Sequence, residues 1–263
     1  MQSNKNILSV KNAKKHFGGV VAINDVSITA IKGNITGLIG PNGAGKTTLF
    51  NLITGLIAPN SGEFFLFDKK YSPKNIHNVV ENGIARTFQN IRLFNKMSVL
   101  ENVLVGRHVK TDCWSLGILS SIFKNRNLIT KEAEERELCM KILERVGLSE
   151  KKFNLSESLP YGDQRRLEIA RALASEPLLL ALDEPAAGMN PTEKVELKNL
   201  ITQISKEGIS ILIIEHDVKL ITSVCDIVYV MDRGKIISHG TPEVIKNDEV
   251  VINAYLGKKA TIN

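Results

Sequence analysis

The chain has 263 residues, 43% of them hydrophobic and 24% charged, which fits a globular protein of one large or two small domains with a substantial core. Its net charge of +6 could suit nucleic acid or an anionic surface, but basic residues are interleaved with acids, as in Lys131-Glu132-Ala133-Glu134-Glu135-Arg136, so a solvated surface and no nucleic-acid partner are expected. Met1 to Asn6 opens without an apolar core of signal length, and no apolar run approaches the ~20 residues of a spanning helix, so any membrane association is expected to be peripheral. Cys113, Cys139 and Cys225 are widely separated and lack metal-ligand spacing, as structural thiols of a reducing compartment would be.

From the N-terminus, the first ~35 residues and residues 63–69 read as strands bounded by turns, notably Pro59-Asn60-Ser61-Gly62. Ile35-Thr36-Gly37-Leu38-Ile39 reads as a buried strand, and Leu49-Phe50-Asn51-Leu52-Ile53 has helical spacing. Between them lie Gly40-Pro41-Asn42-Gly43-Ala44-Gly45-Lys46-Thr47-Thr48. Strand, glycine-rich turn, Lys-Thr and helix is the context that a phosphate loop requires. The glycines let successive N–H groups turn inward onto phosphate oxygens, and the following helix adds its positive end. Lys46 is expected to reach the β- and γ-phosphates of a nucleoside triphosphate, and the Thr47 hydroxyl to ligate Mg²⁺.

Residues from about 91 to 165 carry few strand signals, and Glu132 to Val146 has helical apolar spacing, so a helical lobe inserted into the α/β core is predicted. Thr111 to Thr130, with the only tryptophan, Trp114, has no resolvable periodicity. Further on, Leu178-Leu179-Leu180-Ala181-Leu182 is continuously apolar, as a strand covered on both faces should be. Pro191 to Lys206 is predicted helical, with Asn190 as N-cap, Pro191 at N1 and Glu193 at N3. Ser210 to Ile214 follows as a second buried strand and Asp217 to Val224 as another helix. This alternation predicts an α/β fold with a mostly parallel sheet and helices on both faces.

Asp183 and Glu184 end the first of those buried strands. Asp183 is placed to support the Mg²⁺ shell, as the second carboxylate motif does in phosphate-loop enzymes. Glu184, one residue on, is placed to polarise an attacking water, and a general base contributes about 10²–10⁴-fold to rate. His216 lies just past the second buried strand, where ligands gather in open α/β sheets, so it is a candidate γ-phosphate sensor.

Two more segments narrow the class. Gln89 sits in Arg86-Thr87-Phe88-Gln89-Asn90, just before the helical lobe, and Leu159-Pro160-Tyr161-Gly162-Asp163-Gln164-Arg165-Arg166-Leu167-Glu168 ends it. Phosphate loop, glutamine loop, signature segment, Asp-Glu strand and histidine, in this order over essentially the whole chain, resemble the ATPase subunits of ABC transporters. The resemblance implies a P-loop NTPase, RecA-like core with an N-terminal antiparallel β subdomain and an inserted helical subdomain. The core would span about 1–90 and 166–263 of a single domain, and the helical part about 91–165. It also implies that Gln89 joins Thr47 and Asp183 at Mg²⁺ and that Phe17 stacks on adenine; a core position was the alternative for Phe17. Leu159, Pro160, Tyr161, Gly162 and Asp163 would face the ATP of a second ATPase subunit. The implied partners are integral membrane permease subunits, with an external solute-binding protein engaged indirectly, at the cytoplasmic face of the membrane.

Two positions depart from the wider family. Pro160 stands where a serine is usual and offers neither hydroxyl nor N–H. Recognition there is expected to rest on the N–H groups of Tyr161 and Gly162 and on a helix beginning near Asp163, whose carboxylate should point away from a triphosphate. Asn190 stands where aspartate is common. Pro160 to Ala170, Asp183 to Pro191, Ile214 to Leu220 and Ala254-Tyr255-Leu256-Gly257 resemble branched-chain amino acid importer ATPases, which implies a heterodimer in preference to a homodimer. Urea-type importer and lipopolysaccharide exporter ATPases are the competing resemblances. A soluble ABC ATPase acting on DNA or ribosomes and a P-loop kinase are the alternatives from other classes.

Overall fold

The computed structural model describes residues 6–107 and 126–256. Strands β1 (Asn6–Phe17) and β2 (Val20–Ile31) form a long antiparallel hairpin, and β4 (Ser61–Leu66) and β5 (Lys69–Lys70) extend it to a four-stranded sheet of order β2-β1-β4-β5. The predicted strand over 63–69 is therefore interrupted. Phe67 and Asp68 both take left-handed backbone angles, a reversal that the unbroken apolar run from Phe64 to Phe67 concealed.

The second sheet has six strands in the order β10-β9-β3-β8-β7-β6. They are β3 (Ile35–Ile39), β6 (Ile84–Arg86), β7 (Leu179–Asp183), β8 (Ser210–Ile214), β9 (Ile227–Asp232) and β10 (Lys235–Gly240). All pairs are parallel except β9–β10, a hairpin closed by Arg233 and Gly234, both at positive φ. Side chains alternate between two cores. Ile39, Leu180, Leu182, Ile211 and Ile213 pack toward one, and Leu38, Leu179, Ala181, Leu212 and Ile214 toward the other. Both faces being covered explains why these strands read as unbroken apolar runs.

The helices are α1 (Lys46–Ile53), α2 (Ile76–Glu81), α3 (Val99–Arg107), α4 (Arg126–Arg145), α5 (Tyr161–Leu173), α6 (Pro191–Lys206), α7 (Val218–Val224), α8 (Pro242–Lys246) and α9 (Glu249–Leu256). Helix α6 begins with a complete capping box, Asn190 accepting from the Glu193 N–H and Glu193 answering the Asn190 N–H, so Asn190 is occupied within its own chain. Ser98 and Glu101 cap α3 in the same reciprocal way. Buried Asn102 accepts from the Phe94 N–H and donates to the Phe94 and Ser98 carbonyls, which shapes the turn entering the helical segment. Arg107 then joins α3 to Glu135 on α4 and to Glu176 beyond α5. The stretch from Thr111 to Thr130, with Cys113 and Trp114, falls mostly outside the described residues.

Candidate active site

The carboxyl ends of β3, β6, β7 and β8 lie side by side, and every candidate residue of the inner site is attached to one of them. The segment from Gly40 to Thr48 leaves β3, curls, and enters α1. Two of its glycines have no substitute. A Cβ on Gly40 (φ 151°) would lie 2.1 Å from the Met231 carbonyl, and one on Gly45 (φ 99°) 2.6 Å from that of Ala22. The backbone of this loop is thus wedged between β9 and the β2 hairpin. Gly234 completes the wedge: its N–H donates to the Ala44 carbonyl, and its own carbonyl accepts from Asn24.

Lys46 is buried, and its ammonium donates to the Gly40 and Pro41 carbonyls at 2.7 and 3.1 Å, folded back over the loop. Asn42, Gly43, Ala44, Gly45, Lys46, Thr47, Thr48 and Glu184 line a cleft of about 590 Å³ together with Val20, Val21, Ala22 and the Arg233-Gly234 turn. Phe17 is 48% exposed at the end of β1 beside Lys15, which excludes the core alternative; it is not among the residues lining this cleft.

Asp183 and Glu184 diverge at the end of β7. Asp183 is buried and its Oδ2 accepts from the Arg86 guanidinium at 3.2 Å. Burial pushes its carboxyl above the ordinary range, and Arg86 opposes that shift. Arg86 also donates to Asn51 of α1 and to Thr54, the C-cap of that helix, and lies over the rings of Phe50 and Phe88. Glu184 takes a left-handed backbone angle, φ 45°, while its N–H donates to the Ile214 carbonyl. Such a conformation costs about 1–3 kcal/mol in a non-glycine residue and turns the side chain into the cleft.

Three side chains from three strand ends meet at Glu184. Gln89 Nε2 donates to Glu184 Oε2 at 2.9 Å, and His216 Nδ1 lies 3.6 Å from the same oxygen. On its other side His216 Nδ1 is 3.9 Å from Glu215 Oε2. Glu215 is 1% exposed and accepts the Ala186 N–H at 2.8 Å, so it holds the loop after Glu184 from below. Burial pushes the Glu215 carboxyl up. The arrangement offers a carboxylate for accepting a proton, an amide for orienting it and an imidazole within reach.

The signature segment lies elsewhere. Leu159 and Gly162 are buried, Pro160 and Tyr161 are exposed, and none of residues 159–163 lines the phosphate-loop cleft of its own chain. Helix α5 starts at Tyr161 with Pro160 as N-cap in extended backbone (ψ 154°), two residues before the predicted start; the missing proline N–H interrupts nothing there, because the cap's N–H takes no part in the helical ladder. The Tyr161 and Gly162 N–H groups therefore belong to that first turn and have no partners within the helix. Asp163 is buried and paired with Lys151 and Arg166, pointing back into the helical segment.

Arg86, Glu215, Arg165 and Glu168 were not singled out from the sequence. The signals were a charge continuing an apolar strand at Arg86 and Glu215, and opposite charges three apart on one helix at Arg165 and Glu168.

The residues fit a magnesium nucleotide. No cluster of three or more His, Cys, Asp or Glu able to hold a metal occurs among the described residues. Mg²⁺ is commonly held by one or two carboxylates plus substrate phosphates, and a donor set of the Thr47 hydroxyl in the cleft, one carboxylate at the end of β7 (Asp183) and the Gln89 amide after β6 suits that pattern. Bound there, the ion supplies charge neutralisation between the β- and γ-phosphates.

Residues 23–187 match the ABC transporter family, and residues 235–261 match a branched-chain amino acid ATP-binding cassette transporter model. The chain is 42% identical over 253 residues, 96% of itself and 98% of the relative, to the high-affinity branched-chain amino acid transport ATP-binding protein LivG of Escherichia coli K12. It is 41% identical to BraF, described in the same words, of Pseudomonas aeruginosa, over 96% of this chain and 98% of that one. Among solved structures, the ADP conformation of an ATP-binding cassette of an ABC transporter superposes with a TM-score of 0.83 at 35% identity, covering 96% of this chain and 99% of that chain. The chain belongs to the ATP-binding subunits of ABC transporters. As such it binds ATP with Mg²⁺, hydrolyses it to power transport, dimerises and works with membrane permease subunits. No helix among the described residues is long and apolar enough to cross a membrane itself.

Proposed function

We propose that this chain energises the import of branched-chain amino acids, working as one half of a heterodimer of two different ATPase subunits at the cytoplasmic face of the membrane. An external solute-binding protein would deliver the cargo to the permease pair, and the cargo would not touch this chain. The reading is carried by one coincidence: near-complete coverage at 42% identity together with the C-terminal match over residues 235–261. The lipopolysaccharide export ATP-binding protein LptB of Haemophilus influenzae also matches, at 34% identity.

In this function Glu184 accepts the proton of the attacking water. Gln89, bonded to Glu184 at 2.9 Å, orients that carboxylate and reaches the metal, and His216 senses the γ-phosphate. Gly40, Pro41, Asn42, Gly43, Ala44 and Gly45 cradle the phosphates with Lys46 and Thr48. Thr47 and Asp183 hold the ion. Phe17 stacks on adenine, and Leu159 to Asp163 read the γ-phosphate bound to the other subunit. A single nucleotide is then held by two proteins, and its cleavage lets them part. Proteoliposomes holding this chain, its companion ATPase and both permeases test the reading. Leucine uptake that requires ATP and this chain is the expected result. ATP-driven movement of a different solute only, with leucine excluded, would overturn it.

A further inference from the structure

Two of the three most deeply buried charges among the described residues lie on α5, outside the cleft. Arg165 and Glu168, one turn apart on α5, are 0% and 1% exposed and paired at 2.8 Å. Removing two charges from water is costly, and such a pair is weak as a source of stability. What it holds is therefore informative. Arg165 donates to the carbonyls of Phe88 at 2.6 Å and Gln89 at 2.7 Å. Glu168 Oε1 accepts the N–H groups of Phe88 and Arg92, both at 3.3 Å. The pair thus grips both polarities of the backbone on either side of Gln89, whose own side chain bonds Glu184. At the other end, Arg165 reaches the Tyr161 hydroxyl at 3.3 Å, in the first turn of the same helix. The Tyr161 ring also lies against Gly188, where an added Cβ would sit 3.4 Å from it, in the loop that follows Glu184.

We propose that Arg165 and Glu168 are positioning residues for hydrolysis, making helix α5 a rigid lever between the signature turn and Gln89. The proposal rests on the roles given above to Gln89, Glu184 and the signature segment. Its consequence is a link between the two nucleotides of a dimer. The turn that reads the other subunit's nucleotide is fixed, through one helix and one ion pair, to the glutamine that orients this subunit's own base. Neither charge touches the nucleotide. Their fork and carboxylate geometry sets where Gln89 stands.

The test is a double-mutant cycle on steady-state ATP hydrolysis by the full transporter, using Arg165→Lys, Gln89→Ala and both together. Lysine keeps the charge, but its three donors sit on one nitrogen and cannot span the Phe88 and Gln89 carbonyls, Glu168 and the Tyr161 hydroxyl as the two-nitrogen guanidinium fork does. Arg165→Lys is expected to lower kcat by roughly 10- to 100-fold with KM for ATP within about twofold, since an ångström of misplacement can cost about 10²-fold. In the Gln89→Ala background the same substitution should change kcat by less than about twofold. An equal loss in both backgrounds would show that Arg165 acts independently of Gln89, which overturns the lever. If Gln89→Ala alone leaves hydrolysis unchanged, the role of Gln89 falls and the lever falls with it. Hydrogen exchange supplies a readout that does not depend on turnover. Glu168→Gln should accelerate exchange at the Phe88 and Arg92 amides while those of β7 and β8 stay protected; unchanged exchange at 88 and 92 would refute the grip. Should Glu168→Gln not fold, the Arg165→Lys protein carries the same exchange measurement.

Discussion

Glu184 joins two properties that rarely coincide, a strained left-handed backbone and a side chain shared by Gln89 and His216. Replacing its carboxylate with an amide keeps the shape and removes the proposed base. Glu184→Gln should bind ATP as the wild type does and hydrolyse it about 10²–10⁴-fold more slowly, as measured by single turnover with radiolabelled nucleotide. Near-normal turnover would take the base role away from Glu184. Lys46 offers a second check. Lys46→Ala should weaken ATP affinity by about 10-fold or more, the loss of a charge-assisted hydrogen bond, as followed by calorimetry. Both residues were legible in the sequence because the phosphate loop and the Asp-Glu strand are contiguous patterns with local physical reasons. Arg86 was not, because its meaning comes from Asp183, 97 positions away. A lone arginine ending a three-residue strand carries no sign of the carboxylate it will meet.

Helix α5 shows how capping, charge and packing divide along one element. Its first turn presents free N–H groups after Pro160, its third residue is tied down, and its buried face carries the ion pair that grips the glutamine loop. Burial pushes the Asp163 carboxyl up, but Lys151 and Arg166 outweigh it and hold the group below its ordinary range. The depressed value in the folded state means that Asp163 stabilises the protein above the unfolded carboxylate value, about 3.9, and ceases to do so as pH falls through the lower folded value. Asp163→Asn should therefore lower the melting temperature at pH 7 by roughly 2–8 °C, for about 1–2 kcal/mol, and the gap should close in acid. A gap that widened toward low pH would reverse the sign of the assignment. The sequence anticipated that Asp163 points away from a triphosphate, since like charges repel. It placed the helix start two residues late, near Asp163; the cap is Pro160, whose missing N–H does not interrupt the helix because the cap's N–H takes no part in the helical ladder.

For the molecule as a whole, the cleft and the signature turn are separate surfaces of one chain, so the proposed two-sided nucleotide site requires a second cassette. With Glu184→Gln in both subunits and ATP present, this chain and its companion ATPase should elute together at the mass of one copy of each, and separately with ADP. Stable pairs of this chain alone, with the companion excluded, would replace the heterodimer with a homodimer. The α/β class was readable from alternating runs, whereas the strand order was not, since β3 pairs with segments some 175–190 residues further along. That order has a consequence for biosynthesis. β3, with the phosphate loop at its end, leaves the ribosome well before both its neighbours, β8 and β9, and before the Gly234 amide that ties down Ala44. A polypeptide synthesised only as far as β7 therefore carries the whole loop motif without a scaffold to shape it, and cannot squander nucleotide until β8 and β9 follow.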